Sequence, residues 1–141
     1  MIDTKNAPYG VFLLRVALGV MFLAHGLLKV FVFTVPGTVQ FFGSLGLPSF
    51  LAYVVIAAEV IGGVMLILGV YARLVSLALV PIMIGATWVH AGNGWLFSAP
   101  NGGWEYPLFW TVANVVQAFL GDGAWALKPT PNSTAARFKL A

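Results

Sequence analysis

The chain has 141 residues, of which 60% are hydrophobic and only 8% charged, with a formal net charge of +3, and its mean hydropathy is +0.95. Soluble domains average about half apolar and a quarter charged residues, so these values exclude an ordinary soluble globular protein and point to the membrane. The absence of cysteine excludes disulfide exchange, a thiolate nucleophile, a sulfur-ligated metal and an iron–sulfur cluster within this chain.

The apolar segments run, in chain order, from Tyr9 to Phe31, Ser49 to Gly69, Ala72 to His90 and Tyr106 to Gly121. Most approach the length of about 20 residues that crosses a bilayer as a helix, which predicts an all-α, one-domain bundle of four transmembrane helices. The last is the shortest; its limits extend to Trp104 on one side or through Trp125 on the other. The first segment is too long for the apolar run of a cleaved signal peptide, and Arg15 interrupts it. Pro81 is expected to bend the third helix locally, which neighbouring helices can accommodate.

The connections carry their own signals. "FTVPGTVQFFGSLGLPSF" (Phe33 to Phe50) sets apolar aromatics between two prolines, the pattern of a short external interfacial helix. "AGNGWLFSAPNGGWEYP" (Ala91 to Pro107) is a turn-rich loop whose Trp95 and Trp104 suit a membrane surface. The end of the chain, "KPTPNSTAARFKLA" from Lys128, reads as a mobile cytoplasmic tail able to touch anionic headgroups. With four spans, Lys5, Arg73, Lys128, Arg137 and Lys139 share one side and only Lys29 lies on the other. The positive-inside rule then places both termini in the cytoplasm of a bacterial-type inner (plasma) membrane. The net charge reports topology, and no nucleic-acid partner is implied.

Polar residues inside the spans are the candidates for function. Arg15, His25 and Lys29 fall within an arc of about 80° on the first helix. Ser76, Thr87 and His90 share a face of the third, and Asn114 and Gln117 are neighbours on the fourth. An ionised side chain at mid-membrane costs about 2.5–3.5 kcal/mol even on the lenient insertion scale, so Glu59 requires a partner, water or a proton. Counting rise from the span ends puts Arg15 within about 6 Å of its depth, which predicts an Arg15–Glu59 pair. That pair either fixes helix register or belongs to a ligand or proton site. Lys29 is near the external end and can snorkel instead.

His25, Lys29, His90 and Glu105 are expected toward the external face with Asn114 below them. His25 is either a satisfied bundle residue, a hydrogen-bond donor to a quinone carbonyl or a proton carrier near neutral pH. Trp88, Trp95, Trp104 and Trp110 either anchor the bundle at the interface or sandwich a flat ring. The scattered His and Glu spacing predicts no metal site, and nothing else marks a haem pocket around His25 and His90. Small residues on shared faces, namely Gly19 and Gly26, Ala58 and Gly62, Ala78 and Gly85, predict close helix approach.

Four stretches together resemble the DoxX family of small four-helix membrane proteins: "LLRVALGVMFLAHGLLKVF", "GSLGLP", "AEVIGGVMLILGVYAR" and "GGWEYPLF". The resemblance carries onto this chain Arg15, His25, Gly26, Lys29, Glu59, Gly63, Gly69, Arg73, Glu105 and Pro107. The chain departs at its end, where "GDGAWALK" replaces the family's usual glycine, proline and glycine turn with its downstream aspartate. Relatives include a subunit type of the thiosulfate:quinone oxidoreductase and members linked to membrane redox complexes and oxidative-stress resistance. The resemblance therefore implies a quinone-interacting subunit of a redox complex, with a redox partner protein and quinone as the cofactor. In it Arg15 and Glu59 serve an interior site, and His25, Lys29, His90 and Glu105 line its mouth. The alternatives are a protein that binds or transports a lipid or small solute, or an assembly scaffold whose glycine-lined faces dock a partner or a second copy of the chain.

Overall fold

The structure is a computed structural model that describes residues 3–131. These form α1 (Ala7–Phe31), α2 (Val35–Ser44), α3 (Phe50–Leu68), α4 (Ala72–His90) and α5 (Glu105–Leu120). The described residues contain no strand. α1, α3 and α4 are long and apolar enough to cross a membrane. α5 has 16 residues, a length of about 24 Å. Its N-cap is Trp104, and it stops at Leu120 because Gly121 (φ 96°) leaves helical space, so it does not continue through Trp125.

Local chemistry explains the boundaries. Pro8 stands in the first turn of α1, where a missing N–H costs nothing. Just before it, Asp3 accepts from Lys5 N, Asn6 N and the Asn6 side chain; these bonds, Asn6's foremost, hold its carboxyl below the usual range. Thr34 caps α2 by accepting from Gly37 N at 3.2 Å. α3 ends at Gly69, whose φ of 70° is the left-handed geometry that closes helices.

Glycines set how α1 and α3 meet. A Cβ at Gly63 would lie 2.6 Å from Leu23 N and 2.8 Å from Gly19 O, and one at Gly26 would lie 3.2 Å from the Glu59 Cβ. The antiparallel register therefore sets Gly19 against Gly63 and Ile67, and Gly26 against Glu59 and Val60. Gly63, rather than Gly62, makes this approach; Gly62 instead faces Leu79 of α4, 3.0 Å from a placed Cβ. Gly85 has open space around it and Ala78 is exposed, so the close contact expected on that face of α4 is not formed. Phe22, Leu66, Leu79, Met83 and Trp110 meet in the core, while Leu13, Phe31, Ile61, Ile84, Phe109 and Phe119 stand exposed around the outside. An apolar exterior of this extent suits lipid.

The segment after α5 is tied across one end of the bundle. Ala124 N donates to Pro8 O at 2.9 Å, Leu127 N to Leu68 O at 3.1 Å, Lys128 N to Gly69 O at 3.1 Å and Tyr71 N to Lys128 O at 2.8 Å. Asp122, buried, accepts from Thr130 N and Thr130 Oγ1 at 2.9 and 2.8 Å and from Arg73 N at 3.3 Å. Lys128 and Thr130, at the start of the tail expected to be mobile, thus hydrogen-bond to the bundle; the rest of that tail, from residue 132, lies outside the described residues.

Candidate functional site

The structure pairs Glu59 with Lys29, not with Arg15: Lys29 Nζ donates to Glu59 Oε2 at 2.7 Å. The reason is register. Depth counted from span ends assumes that α1 and α3 end flush, but the glycine contacts slide them so that Glu59 lies beside Gly26. Arg15 is eleven residues from Gly26 along α1, about 16 Å away. Lys29 is less than one turn from it.

Arg15 serves the opposite end of the bundle. Fully buried, it donates to Leu66 O at 3.3 Å and Ala124 O at 3.0 Å. Its Nη1 occupies the place that a side chain at position 69 would fill. The guanidinium is a tie between α1, the end of α3 and the segment after α5. Asp122, which accepts from Arg73 N and Thr130 at that end, was not singled out by the sequence reading. It was findable as an acid beside the basic end of the chain, immediately after the last apolar run.

Around the Lys29–Glu59 pair lies an aromatic wall. The His25 ring is 4.9 Å from the Trp110 ring, edge to face, and 6.5 Å from Tyr106, and Trp110 is 4.7 Å from Phe22. His25 lies one turn before Lys29 on the same side of α1. Above the pair, α2 is fastened to α1 by Thr38 Oγ1, which donates to Lys29 O at 3.1 Å. Glu59 is buried, Lys29 and His25 are half-buried and Tyr106 is exposed. The cluster therefore combines a partly covered ion pair with an aromatic side that is buried at Trp110, half-buried at His25 and exposed at Tyr106, an arrangement suited to a flat ring carrying polar substituents.

Other expected site residues lie elsewhere. His90 bonds through Nδ1 to Ala86 O at 2.8 Å and borders Gly102, while Glu105 accepts from Phe97 N at 3.3 Å; both shape the loop between α4 and α5. Asn114 is fully buried in α5 below Trp110. Among the described residues, no three His, Asp or Glu side chains gather as metal ligands would.

Asn114 heads a second polar layer. Trp110, Asn114 and Gln117 follow at i, i+4 and i+7 and share the buried face of α5. Antiparallel packing that sets Phe22 level with Trp110 brings Arg15 level with Gln117, each about 10 Å further down. Ser76 Oγ, both amide atoms of Asn114, Gln117 Oε1 and Arg15 Nε are buried without a protein partner. The Phe22–Trp110 contact stands between this layer and the Lys29–Glu59 pair. Two shallow apolar grooves between α4 and α5, each about 300 Å³, lie on the exterior away from both.

The DoxX family model matches residues 10–92, more than half of the chain. The chain belongs to the DoxX family. It is 48% identical over 82 residues to a Bacillus subtilis (strain 168) protein described as putative oxidoreductase CatD, a match covering 58% of this chain and 60% of CatD. It is 34% identical over 125 residues to a protein of Haemophilus influenzae described as uncharacterized, covering 87% of this chain and 91% of that one. No solved structure matches significantly. With its apolar helices and its family, this DoxX chain is a membrane protein. The DoxX match spans α1 to α4 and so contains His25, Lys29 and Glu59, whereas Tyr106, Trp110 and the segment after α5 lie beyond it.

Proposed function

We propose that this DoxX protein is a quinone-interacting subunit of an inner-membrane oxidoreductase system. The observation that carries the reading is the partly covered Lys29–Glu59 pair set against His25, Tyr106 and Trp110. The residues present fit a quinone: Trp110 Nε1 is a buried donor without a protein partner, and the aromatic side can stack a flat ring. When bound, quinone would supply two-electron redox chemistry. The chain's own residues orient the ring and hold charge beside it, and Phe22 with Trp110 closes the floor. The relative described as an oxidoreductase supports the class of activity. A redox partner supplies or removes electrons, because this chain has no cysteine and so no thiol or iron–sulfur carrier of its own.

In this reading α5 is the fourth span and α2 lies at the external interface. Three crossings would leave the segment after α5 on the side opposite Pro8 and Tyr71, yet Ala124 and Lys128 hydrogen-bond to those residues. The short α5 can be matched by local thinning of the bilayer at modest cost. Both termini then lie in the cytoplasm.

The test is equilibrium binding of a short-chain quinone to purified protein in nanodiscs, corrected for partition into empty discs. Saturable binding that weakens about tenfold or more in Trp110→Leu supports the reading, a change of about 1.4 kcal/mol. Non-saturable uptake, the same in the variant as in the parent, would overturn it.

A further inference from the structure

We infer that the ring site selects the hydroxyl form of its ligand, a hydroquinone or related phenol, over the carbonyl form. The inference rests on the ring-binding reading above and deepens it. His25 Nδ1 lies 2.9 Å from Met21 O. A carbonyl oxygen can only accept, so Nδ1 carries the hydrogen. In the neutral imidazole the other nitrogen, Nε2, then has no hydrogen and presents a lone pair. No described residue donates to it.

Beside it stands the opposite function. Trp110 Nε1–H is a donor only, is buried without a partner, and belongs to a ring 4.9 Å from that of His25. The cluster therefore offers one acceptor and one donor on adjoining rings. A phenolic hydroxyl answers both, since it donates through its hydrogen and accepts through its oxygen. A quinone carbonyl can accept from Trp110 but leaves the His25 lone pair facing an oxygen. With Nδ1 donating to Met21 O, a neutral His25 meets a ligand through Nε2, as an acceptor. Sites built to bond a ligand hydroxyl discriminate strongly against analogues lacking it, because the site's own polar group is otherwise left unpaired.

The experiment measures binding of three matched probes to protein in nanodiscs under anaerobic conditions: 2,3,5-trimethylhydroquinone, its dimethyl ether and trimethylquinone. The expected result is that the hydroquinone binds at least about tenfold more tightly than either of the others. His25→Phe keeps an aromatic ring but removes the acceptor, so it should bring the three affinities together while Trp110→Leu weakens all of them. If His25→Phe does not fold, the comparison of hydroquinone with its ether in the unaltered protein decides by itself. Equal binding of the three probes, or preference for the quinone, overturns the selection while leaving a ring site standing. Failure of every probe to bind overturns both the selection and the ring site.

Discussion

Lys29 and Glu59 meet at 2.7 Å with their side chains 20% and 6% exposed, so each neutralises a charge that lipid would not tolerate alone. Removing one partner from a fully buried pair typically costs 3–5 kcal/mol; Lys29 is partly open, and about 2–3 kcal/mol is expected for Lys29→Met. The double variant Lys29→Met/Glu59→Leu should recover most of that loss, because no unpaired charge remains. Thermal unfolding in detergent reads both, and a double variant as unstable as the single one would show that the pair contributes more than mutual neutralisation. Arg15 makes the contrasting case. Arg15→Met, where a thioether takes the place of the guanidinium, leaves the partly buried Ala124 O without its donor. That is expected to cost about 1–3 kcal/mol, with no effect on the Lys29–Glu59 pair. That Glu59 and Arg15 need partners was legible in the sequence, since a carboxylate and an arginine inside apolar runs announce that need. Which cation meets which carboxylate was not, because register between helices depends on contacts that no single helix encodes.

Close approach of α1 to α3 depends on a few glycines, and the structure separates those that matter from those that do not. At Gly63 a methyl group would sit 2.6 Å from Leu23 N and 2.8 Å from Gly19 O, both backbone atoms that cannot swing aside. Gly63→Ala is expected to force the helices apart at a cost of about 1–3 kcal/mol, and to disturb the Lys29–Glu59 register with it. Gly85 has nothing within 4 Å of a placed Cβ, so Gly85→Ala should be neutral or stabilise by up to about 1 kcal/mol through helix propensity alone. Unfolding midpoints of the two variants, measured side by side, check the pair, and equal effects would contradict the packing described. At this scale the sequence was informative about where helices begin and end, because apolar length, Pro8 and Gly69 are local signals. It marked Gly19, Gly26 and Gly62 for close approach, which they make, but not the helix each would meet: Gly62 and Gly63 are adjacent, yet Gly62 faces α4 and Gly63 faces α1. The segment after α5 was illegible for a similar reason. Its hydrogen bonds run to Pro8, Leu68, Gly69 and Tyr71, all remote in sequence.

The whole molecule has a polar end and an ion-paired end, and the ties at the polar end constrain how it crosses the membrane. Lys5, Arg73 and Lys128 gather where Ala124 meets Pro8 and Tyr71 meets Lys128, while Lys29 lies toward the other end with Glu59. Lysine and arginine concentrate on the cytoplasmic side of membrane proteins, so in the topology proposed above the gathered end faces inward and the loop between α4 and α5 outward. The chain contains no cysteine, which makes single substitutions clean reporters. Asp3, Asn101 and Pro131 are all exposed, and each can carry one. In intact cells a membrane-impermeant maleimide is expected to modify Asn101→Cys and to leave Asp3→Cys and Pro131→Cys unmodified until the membrane is opened. A bundle of three crossings would instead expose Pro131→Cys together with Asn101→Cys while Asp3→Cys stayed protected. That outcome would also break the Ala124 bond to Pro8, since hydrogen-bonded residues cannot lie on opposite faces of a bilayer about 30 Å thick.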